Sequence, residues 1–225
     1  MTRRQDPARA WMIGAVGGGL ALALAVLAGY GTGPAGLTLG VRVTARWSFL
    51  FFWLSYAGGA MAILFGSAFA GLARQARALG LAFAAALQVH IGLVIWLGVV
   101  IGQIPLQGGV LWFFLLALFI TYQLALLSFG IGMRSLGRLW RPLLFLGTTY
   151  ILIAFGLDFV LGALNWKTQD WLYFAAYVPF ALLSLIAIPL RLAAFLRQRF
   201  ELLPVATEPA RRFAYLHRGS APTTE

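Results

Sequence analysis

The chain has 225 residues, of which 61% are hydrophobic and only 10% are charged, and its net charge is +11. A soluble domain carries roughly a quarter charged residues, so this composition excludes a water-soluble globular protein and indicates an integral membrane protein. Cysteine is absent, which excludes disulfides, zinc–thiolate sites, iron–sulfur clusters and thiol chemistry in this chain.

Six apolar segments are long enough to cross a bilayer, because about 20 apolar residues span a hydrocarbon core of about 30 Å. They run from Trp11 to Tyr30, Trp47 to Ala70, Leu79 to Ile101, Val110 to Gly130, Leu143 to Leu164 and Trp171 to Leu190. Lipid offers no hydrogen-bond partners to the backbone, so each span must be helical. The predicted fold is therefore an all-α, polytopic bundle of six transmembrane helices over residues 11–192, with tails at 1–10 and 193–225.

The longest uncharged stretch, from Ala78 to Met133, contains no Asp, Glu, Lys or Arg. It is long enough for two spans, and Pro105 with Gly108-Gly109 predicts the turn between them. Glycines in the first two spans predict helices that approach closely, since small residues let two backbones come together in lipid. These glycines are Gly14, Gly17, Gly18, Gly19, Gly58 and Gly59.

The basic residues are concentrated on one side of the predicted membrane. Only Arg42, Arg46 and Lys167 fall on the other side. The side rich in Arg and Lys is cytoplasmic. The protein is therefore predicted in a bacterial-type inner membrane with both termini on the cytoplasmic side. Because the arginines lie between apolar segments and form no basic aromatic platform, no nucleic-acid partner is predicted. The cytoplasmic set is Arg3, Arg4, Arg9, Arg74, Arg77, Arg134, Arg138, Arg141, Arg191, Arg197, Arg199, Arg211, Arg212 and Arg218.

The N-terminus has one feature of a signal peptide, since Arg3-Arg4 precede an apolar run. That run is longer than the 7–15 residues of a normal signal-peptide core, and no convincing small-x-small cleavage site follows it. An uncleaved first span is therefore predicted.

Two ionisable residues fall inside predicted spans, where such groups are costly and often functional. His90 lies in the third span near the middle of the bilayer, and Asp158 lies in the fifth. A neutral imidazole there can ligate haem iron, relay a proton or hydrogen-bond a neighbouring helix. One histidine cannot supply both axial ligands of a bis-histidine haem. The only other histidine, His217, lies in the predicted C-terminal tail.

Asp158 is expected near the depth of His90. It follows Leu143 by fifteen residues, whereas His90 follows Ala78 by twelve, which places the carboxylate about 4–5 Å further toward the outside. A buried carboxylate either pairs or takes up a proton, because isolated ionisation in a low dielectric is too costly. Three interpretations stay open: a His–Asp pair that holds two helices together, a proton site, or an aspartate at the outer interface in contact with water.

The remaining polar residues of the spans are expected to form hydrogen bonds between helices. They are Gln88, Thr121, Gln123, Thr148, Thr149 and Tyr150. The sequence has no carboxylate pair, no Ser–His–Asp set and no histidine cluster with metal-ligand spacing. It also has no glycine-rich phosphate loop, so no nucleotide-binding domain is predicted beside the membrane helices. For any redox reaction, the reductant must then come from a separate partner or from a membrane quinol.

Three short motifs connect the chain with a known family. They are T-A-R-W-S-F at 44–49, R-A-L-G-L-A-F at 77–83 followed by His90, and W-R-P-L at 140–143 followed by Tyr150. They resemble the ferric reductase-like transmembrane domain family, six-helix haem b proteins that include the membrane subunit of the methionine-sulfoxide reductase system. The resemblance covers the chain from about Gly40 to the end of the sixth span. It implies transmembrane electron transfer through haem b, with His90 at the position of the third-span iron ligand.

Other ligand positions of the family do not carry histidine here. Leu144 and Leu157 stand where the family has its fifth-span histidines, and Leu87 stands where another common histidine precedes His90. Leucine cannot coordinate iron. The resemblance therefore implies haem held by His90 alone, haem with an unusual second ligand such as Met61, or no haem.

Three hypotheses for function follow. The first is transmembrane electron transfer through haem b on His90, an oxidoreductase-type activity that needs a separate reductase or a periplasmic partner. The second is a haem-free membrane scaffold or partner subunit derived from that fold. The third is a small proton-linked transporter that uses His90 and Asp158, although the sequence shows neither an inverted repeat nor a pair of broken helices.

Overall fold

The computed structural model describes residues 7–129, 136–164 and 171–202. These residues form six α-helices, which are α1 Pro7–Tyr30, α2 Pro34–Phe65, α3 Ala70–Ile101, α4 Gly108–Ser128, α5 Trp140–Leu164 and α6 Trp171–Leu202. Short 3-10 turns at Gly66–Phe69 and Gly137–Leu139 precede α3 and α5. No strand occurs within the three described ranges, which confirms the prediction of an all-α fold.

Five continuous helical stretches are long and apolar enough to cross a membrane, whereas the sequence predicted six spans. The difference arises at residues 34–101, which form one stretch of 68 residues because the turn at Gly66–Phe69 keeps helical hydrogen bonding between α2 and α3. A straight helix of that length would measure about 100 Å, more than three times the thickness of the hydrocarbon core.

The stretch folds back on itself instead. The Ser55 hydroxyl donates a hydrogen bond to the Ala76 carbonyl oxygen at 2.7 Å, and His90 Nδ1 lies 3.0 Å from the Val41 carbonyl oxygen. Fourteen residues separate these contacts on each helix, in opposite directions, so α2 and α3 form an antiparallel hairpin. Gly66, with φ of +83°, occupies a conformation that glycine adopts without steric cost at this turn.

The two ends of the bundle are named after the glycines at their turns. The Gly31 end contains the connection between α1 and α2 and the connection at residues 102–107 between α3 and α4. The latter confirms the turn predicted around Pro105, and it begins with Gly102 in the left-handed region at φ of +68°. The Gly66 end contains the turn between α2 and α3.

Two helices are longer than the hydropathy pattern predicted. α2 begins at Pro34, thirteen residues before the predicted start at Trp47, and α6 continues to Leu202, twelve residues past the predicted end at Leu190. Charged residues had set both predicted limits. The helices tolerate these arginines because aromatic rings of neighbouring helices cover the guanidinium groups, as described below.

The predicted close approach of the first helices is confirmed at some of the glycines. A Cβ atom at Gly18 would lie 2.5 Å from the Trp47 ring, and one at Gly58 would lie 2.9 Å from Leu72. The Trp47 indole N–H also donates to the Ala15 carbonyl oxygen at 2.8 Å, which fixes α1 against α2. By contrast, Gly14, Gly17 and Gly59 have no neighbour within 4 Å of such an atom, and Gly59 faces a cavity.

An aromatic cluster fills the centre of the bundle around Phe49 of α2, which is fully buried. The Phe49 ring centre lies 5.4 Å from that of Phe155 and 4.9 Å from that of Phe159, both on α5. α3 joins through Phe83, 5.9 Å from Phe155, and α6 joins through Phe180, 6.2 Å from Phe49. Ring contacts of this kind supply packing between helices where lipid provides no hydrophobic driving force.

Candidate functional site

His90 lies where α3 packs against α2. Its Nδ1 atom is 3.0 Å from the Val41 carbonyl oxygen. A carbonyl oxygen only accepts hydrogen bonds, so Nδ1 carries the proton and the neutral ring presents Nε2 as its free lone pair. This bond realises the helix-to-helix contact that was one of the predicted roles of His90. The same arrangement is common in histidines that ligate a metal through the other nitrogen.

Asp158 lies on the exposed surface of α5. Its charged neighbours are Arg46 and Arg42 of α2, which lie within electrostatic range of the carboxylate. The aspartate therefore faces two cations, and the pair with His90, one of the three interpretations that the sequence left open, does not form.

The depths of the two residues explain why they do not meet. Asp158 lies between Phe155 and Phe159, which both contact Phe49, whereas His90 is level with Val41. Val41 precedes Phe49 by eight residues, so His90 lies on the order of 10 Å nearer the Gly31 end. The expected order of depth is reversed, because residue counting from the predicted span limits ignored the true starts of α3 and α5.

The resemblance implies other positions at which iron ligands would be found, and none of these positions on other helices supplies a second ligand beside His90. Leu144 lines a cavity in the Gly66 half of the bundle, Leu157 is exposed on α5, and Leu87 is buried in the core. Met61 follows Val41 by twenty residues on α2, which places it about 30 Å along the bundle from His90. The residues present in the described helices therefore do not fit a haem with two axial ligands. His217 lies outside the described residues.

An arginine ladder, formed by Arg42 and Arg46 of α2 and Tyr173 and Tyr177 of α6, occupies the Gly31 half of the bundle. The Arg42 guanidinium carbon lies 4.9 Å from the centre of the Tyr173 ring, and that of Arg46 lies 4.5 Å from the centre of the Tyr177 ring. The two arginines are four residues apart on α2, and the two tyrosines are four residues apart on α6. The two helices are therefore parallel here, and each turn of one contacts the corresponding turn of the other. Cation–π contacts gain strength where water is excluded.

Sequence reasoning missed this ladder because it assigned both arginines to a loop. The signal that could have revealed it is the identical spacing of four in Arg42 and Arg46 and in Tyr173 and Tyr177. One guanidinium atom, Arg46 Nε, is buried without a hydrogen-bond partner among the described residues. Asp158 offsets part of the charge of this region.

A cavity of about 930 Å³ occupies the Gly66 half of the bundle, between α2, α3, α4, α5 and α6. Phe52, Phe83 and Ile151 line its deep end, while Ser128, Trp140 and Gln198 line it close to the ends of their helices. The void exists because small residues of four helices face the same space. They are Gly59, Ala60, Ala76, Gly80, Ala125 and Ala194.

Among the described residues, two arginines line this cavity and no acidic residue does. Arg77 is exposed, whereas Arg191 is half-buried and lies over two rings, 4.1 Å from the centre of Tyr56 and 5.3 Å from that of Phe145. The Nη1 atom of Arg191 is buried and has no hydrogen-bond partner in the described part of the chain. Sequence reasoning had placed Arg191 beyond the end of the sixth span, on the cytoplasmic side.

Hydroxyl groups add a few polar contacts around the cavity. Tyr56 and Thr149 approach each other at 3.5 Å between α2 and α5, whereas Thr121 and Thr148 donate back to carbonyl oxygens one turn earlier in their own helices. Tyr150 donates to the Phe113 carbonyl oxygen and so joins α5 to α4. The expectation that all these groups bond between helices is wrong for the two threonines. Gln88 and Gln123 are exposed.

A scan against protein-family models, a search of curated proteins and a search of solved structures each gave no match. Membership of the ferric reductase-like family therefore remains a prediction based on the motifs at 44–49, 77–83 and 140–143. What the structure establishes is a set of apolar helices suited to a lipid bilayer. Within it are a histidine hydrogen-bonded to a neighbouring helix, a ladder of stacked arginines, and a basic cavity.

Proposed function

We propose that this chain is a haem-free protein of the bacterial inner membrane that acts as a scaffold or partner subunit, with an architecture resembling the ferric reductase-like domain. In this proposal α2 and α3 cross the membrane separately, which makes six spans. The Gly66 end, with Arg74 and Arg77 beside it, faces the cytoplasm, and both chain termini lie on that side.

The observation that carries the proposal is the absence of a second iron ligand near His90 among the described residues. Leucines occupy the corresponding positions at 144 and 157, and Met61 is about 30 Å away along the helix axis. His90 also already has a structural role, because its ring bonds the backbone of α2. A scaffold of this fold needs no cofactor to hold the helices together.

Absorption spectroscopy tests the proposal. Protein expressed with added haem precursor and purified in detergent is expected to show no Soret band, either oxidised or reduced with dithionite. His90→Ala is expected to give the same featureless visible spectrum. A Soret band in the wild type that disappears in His90→Ala would contradict the proposal.

That contradictory outcome would support the second candidate, haem b held by His90 alone in an electron-transfer protein that needs a separate reductase partner. One observation favours this candidate. The hydrogen bond from Nδ1 to the Val41 carbonyl oxygen leaves Nε2 as the nitrogen able to coordinate a metal. No comparable observation favours a proton-linked transporter, since His90 and Asp158 lie at different depths.

The proposed topology is open to cysteine labelling, because the natural chain has no cysteine that would react in the background. Ser67 in the turn between α2 and α3 and Gln103 in the connection between α3 and α4 are both exposed. We expect Gln103→Cys to react with a membrane-impermeant maleimide on intact spheroplasts, and Ser67→Cys to react only after the membrane is permeabilised. Labelling of both from the same side would contradict the six-span topology.

A further inference from the structure

We propose that the cavity in the Gly66 half of the bundle is a binding site for an anionic amphiphile, a lipid whose carboxylate or phosphate group contacts Arg191 and Arg77 and whose acyl chain occupies the apolar space beside them. The site rests on the membrane location of the protein and does not depend on whether haem binds. It involves none of the residues around His90.

The charges that line the cavity indicate an anionic ligand. An arginine held between helices in a low dielectric is costly unless an anion compensates it. Within the described ranges the cavity lining contains Arg77 and Arg191 but no carboxylate, and Arg191 Nη1 has no hydrogen-bond partner there. The rings of Tyr56 and Phe145 hold the guanidinium in place but supply no negative charge. A bound anion would supply it.

The size and lining of the cavity fit an amphiphilic ligand. The volume of 930 Å³ lies at the upper end of ordinary ligand pockets, which measure about 300–1,000 Å³. The lining along α2 runs from Phe52 to Ile63, eleven residues or about 16 Å of helix. The Arg191 guanidinium lies over the Tyr56 ring, and Arg77 follows Ala76, whose carbonyl oxygen accepts a hydrogen bond from Ser55. Both arginines are therefore on the order of 5 Å along α2 from the aromatic and aliphatic deep end at Phe52. The cavity therefore presents two cationic groups beside apolar space, which is the complement of an anionic lipid.

The small residues of the lining indicate that the space belongs to the fold. Gly59 has no atom of a neighbouring side chain or helix within 4 Å of the position of a Cβ, although many other residues of its helix are buried. Glycine in a helix interior costs about 0.5–1 kcal/mol relative to alanine, and here no close backbone contact requires it. Occupancy of the space by a ligand accounts for the missing side chain.

Native mass spectrometry of the full chain, delipidated in a non-ionic detergent, provides the test. Palmitate, phosphatidylglycerol and zwitterionic phosphatidylcholine are added in separate titrations. We expect palmitate, phosphatidylglycerol or both to bind at least tenfold more tightly than phosphatidylcholine. Palmitate alone would identify a single-chain carboxylate as the ligand, and phosphatidylglycerol a phospholipid headgroup. Absence of any preference for the anionic lipids would overturn the proposal.

Two variants locate the binding. Arg191→Gln removes the cationic group and is expected to weaken binding at least tenfold. Its control, Arg74→Gln, neutralises an exposed arginine of α3 outside the cavity lining and is expected to leave binding unchanged. Equal binding by wild type and Arg191→Gln would overturn the proposal.

If Arg191→Gln fails to fold, a second variant, Gly59→Phe, tests whether lipid binds in the cavity. A phenyl ring at Gly59 would occupy the cavity without a clash at its Cβ, and it is expected to abolish lipid binding. Gly92→Phe is the control, because Gly92 is an exposed glycine of α3 with the same free space around it. Retained binding in a folded Gly59→Phe protein would overturn the proposal. Neither result changes the absorption spectrum, so this site and the haem-free assignment fail separately.

Discussion

The two halves of the bundle use arginine in different ways. In the Gly31 half, Arg42 and Arg46 stack on Tyr173 and Tyr177, and Asp158 lies within electrostatic range of both. In the Gly66 half, Arg191 also stacks on aromatic rings, but it borders a cavity whose described lining residues include no acidic side chain.

The contrast separates structural cations from a candidate binding site. Rings that cover a guanidinium allow it to stay in a low dielectric, and a nearby carboxylate offsets its charge. Around Arg191 the described residues provide rings but no carboxylate and border empty space, which is why we propose an external anion there. A count of arginines in the sequence does not distinguish these cases, because both kinds precede or follow an apolar segment.

The largest expected difference between the halves is in the tolerance of the core to truncation. Phe49→Ala is expected to destabilise the protein by about 3–5 kcal/mol, because Phe49 is fully buried among rings of three helices. Phe145→Ala, on the cavity wall and 51% exposed, is expected to cost about 1 kcal/mol or less. The free energy of unfolding, measured by titration with dodecyl sulfate in mixed micelles, provides the comparison. Similar losses for the two variants would show that the Gly66 half is as closely packed as the centre.

A smaller contrast is expected between two glycines. An added Cβ at Gly162 of α5 would overlap the Tyr177 ring, so Gly162→Ala displaces one step of the ladder and is expected to cost about 1–3 kcal/mol. Gly59→Ala adds a methyl group to empty space and is expected to stabilise the helix by about 0.5–1 kcal/mol. The same unfolding measurement applies. A stabilising Gly162→Ala would mean that the ladder tolerates movement of Tyr177.

The smallest expected effect concerns the carboxylate of the Gly31 half. Asp158→Asn removes the negative charge near Arg46 and is expected to destabilise by about 1 kcal/mol or less, since the Tyr177 and Phe180 rings still cover that guanidinium. A double-mutant cycle with Arg46→Gln isolates the coupling from other effects of either substitution. A coupling energy of zero would remove the aspartate from the comparison and leave the Tyr177 and Phe180 rings as the described support of that arginine.

Much of the architecture could be predicted from the sequence. Apolar segments and turn residues such as Pro105 located the helices, because in lipid the backbone must satisfy its hydrogen bonds within each segment. The limits of α2 and α6 were wrong where charged residues lie inside a helix. In a hydropathy pattern an arginine indicates the end of a span. Arg46 and Arg191 nevertheless lie within helices, because rings distant in sequence cover them.

The candidate site divides in the same way. Composition and hydropathy determined an all-α membrane protein and singled out His90 and Asp158, since an ionisable group in an apolar segment is visible in the sequence alone. Only the tertiary structure decided that these residues do not pair, that Met61 is remote from His90, and that Arg191 borders a cavity. The physical reason is that depth, partnership and empty space depend on the register between helices, which contacts among distant residues establish.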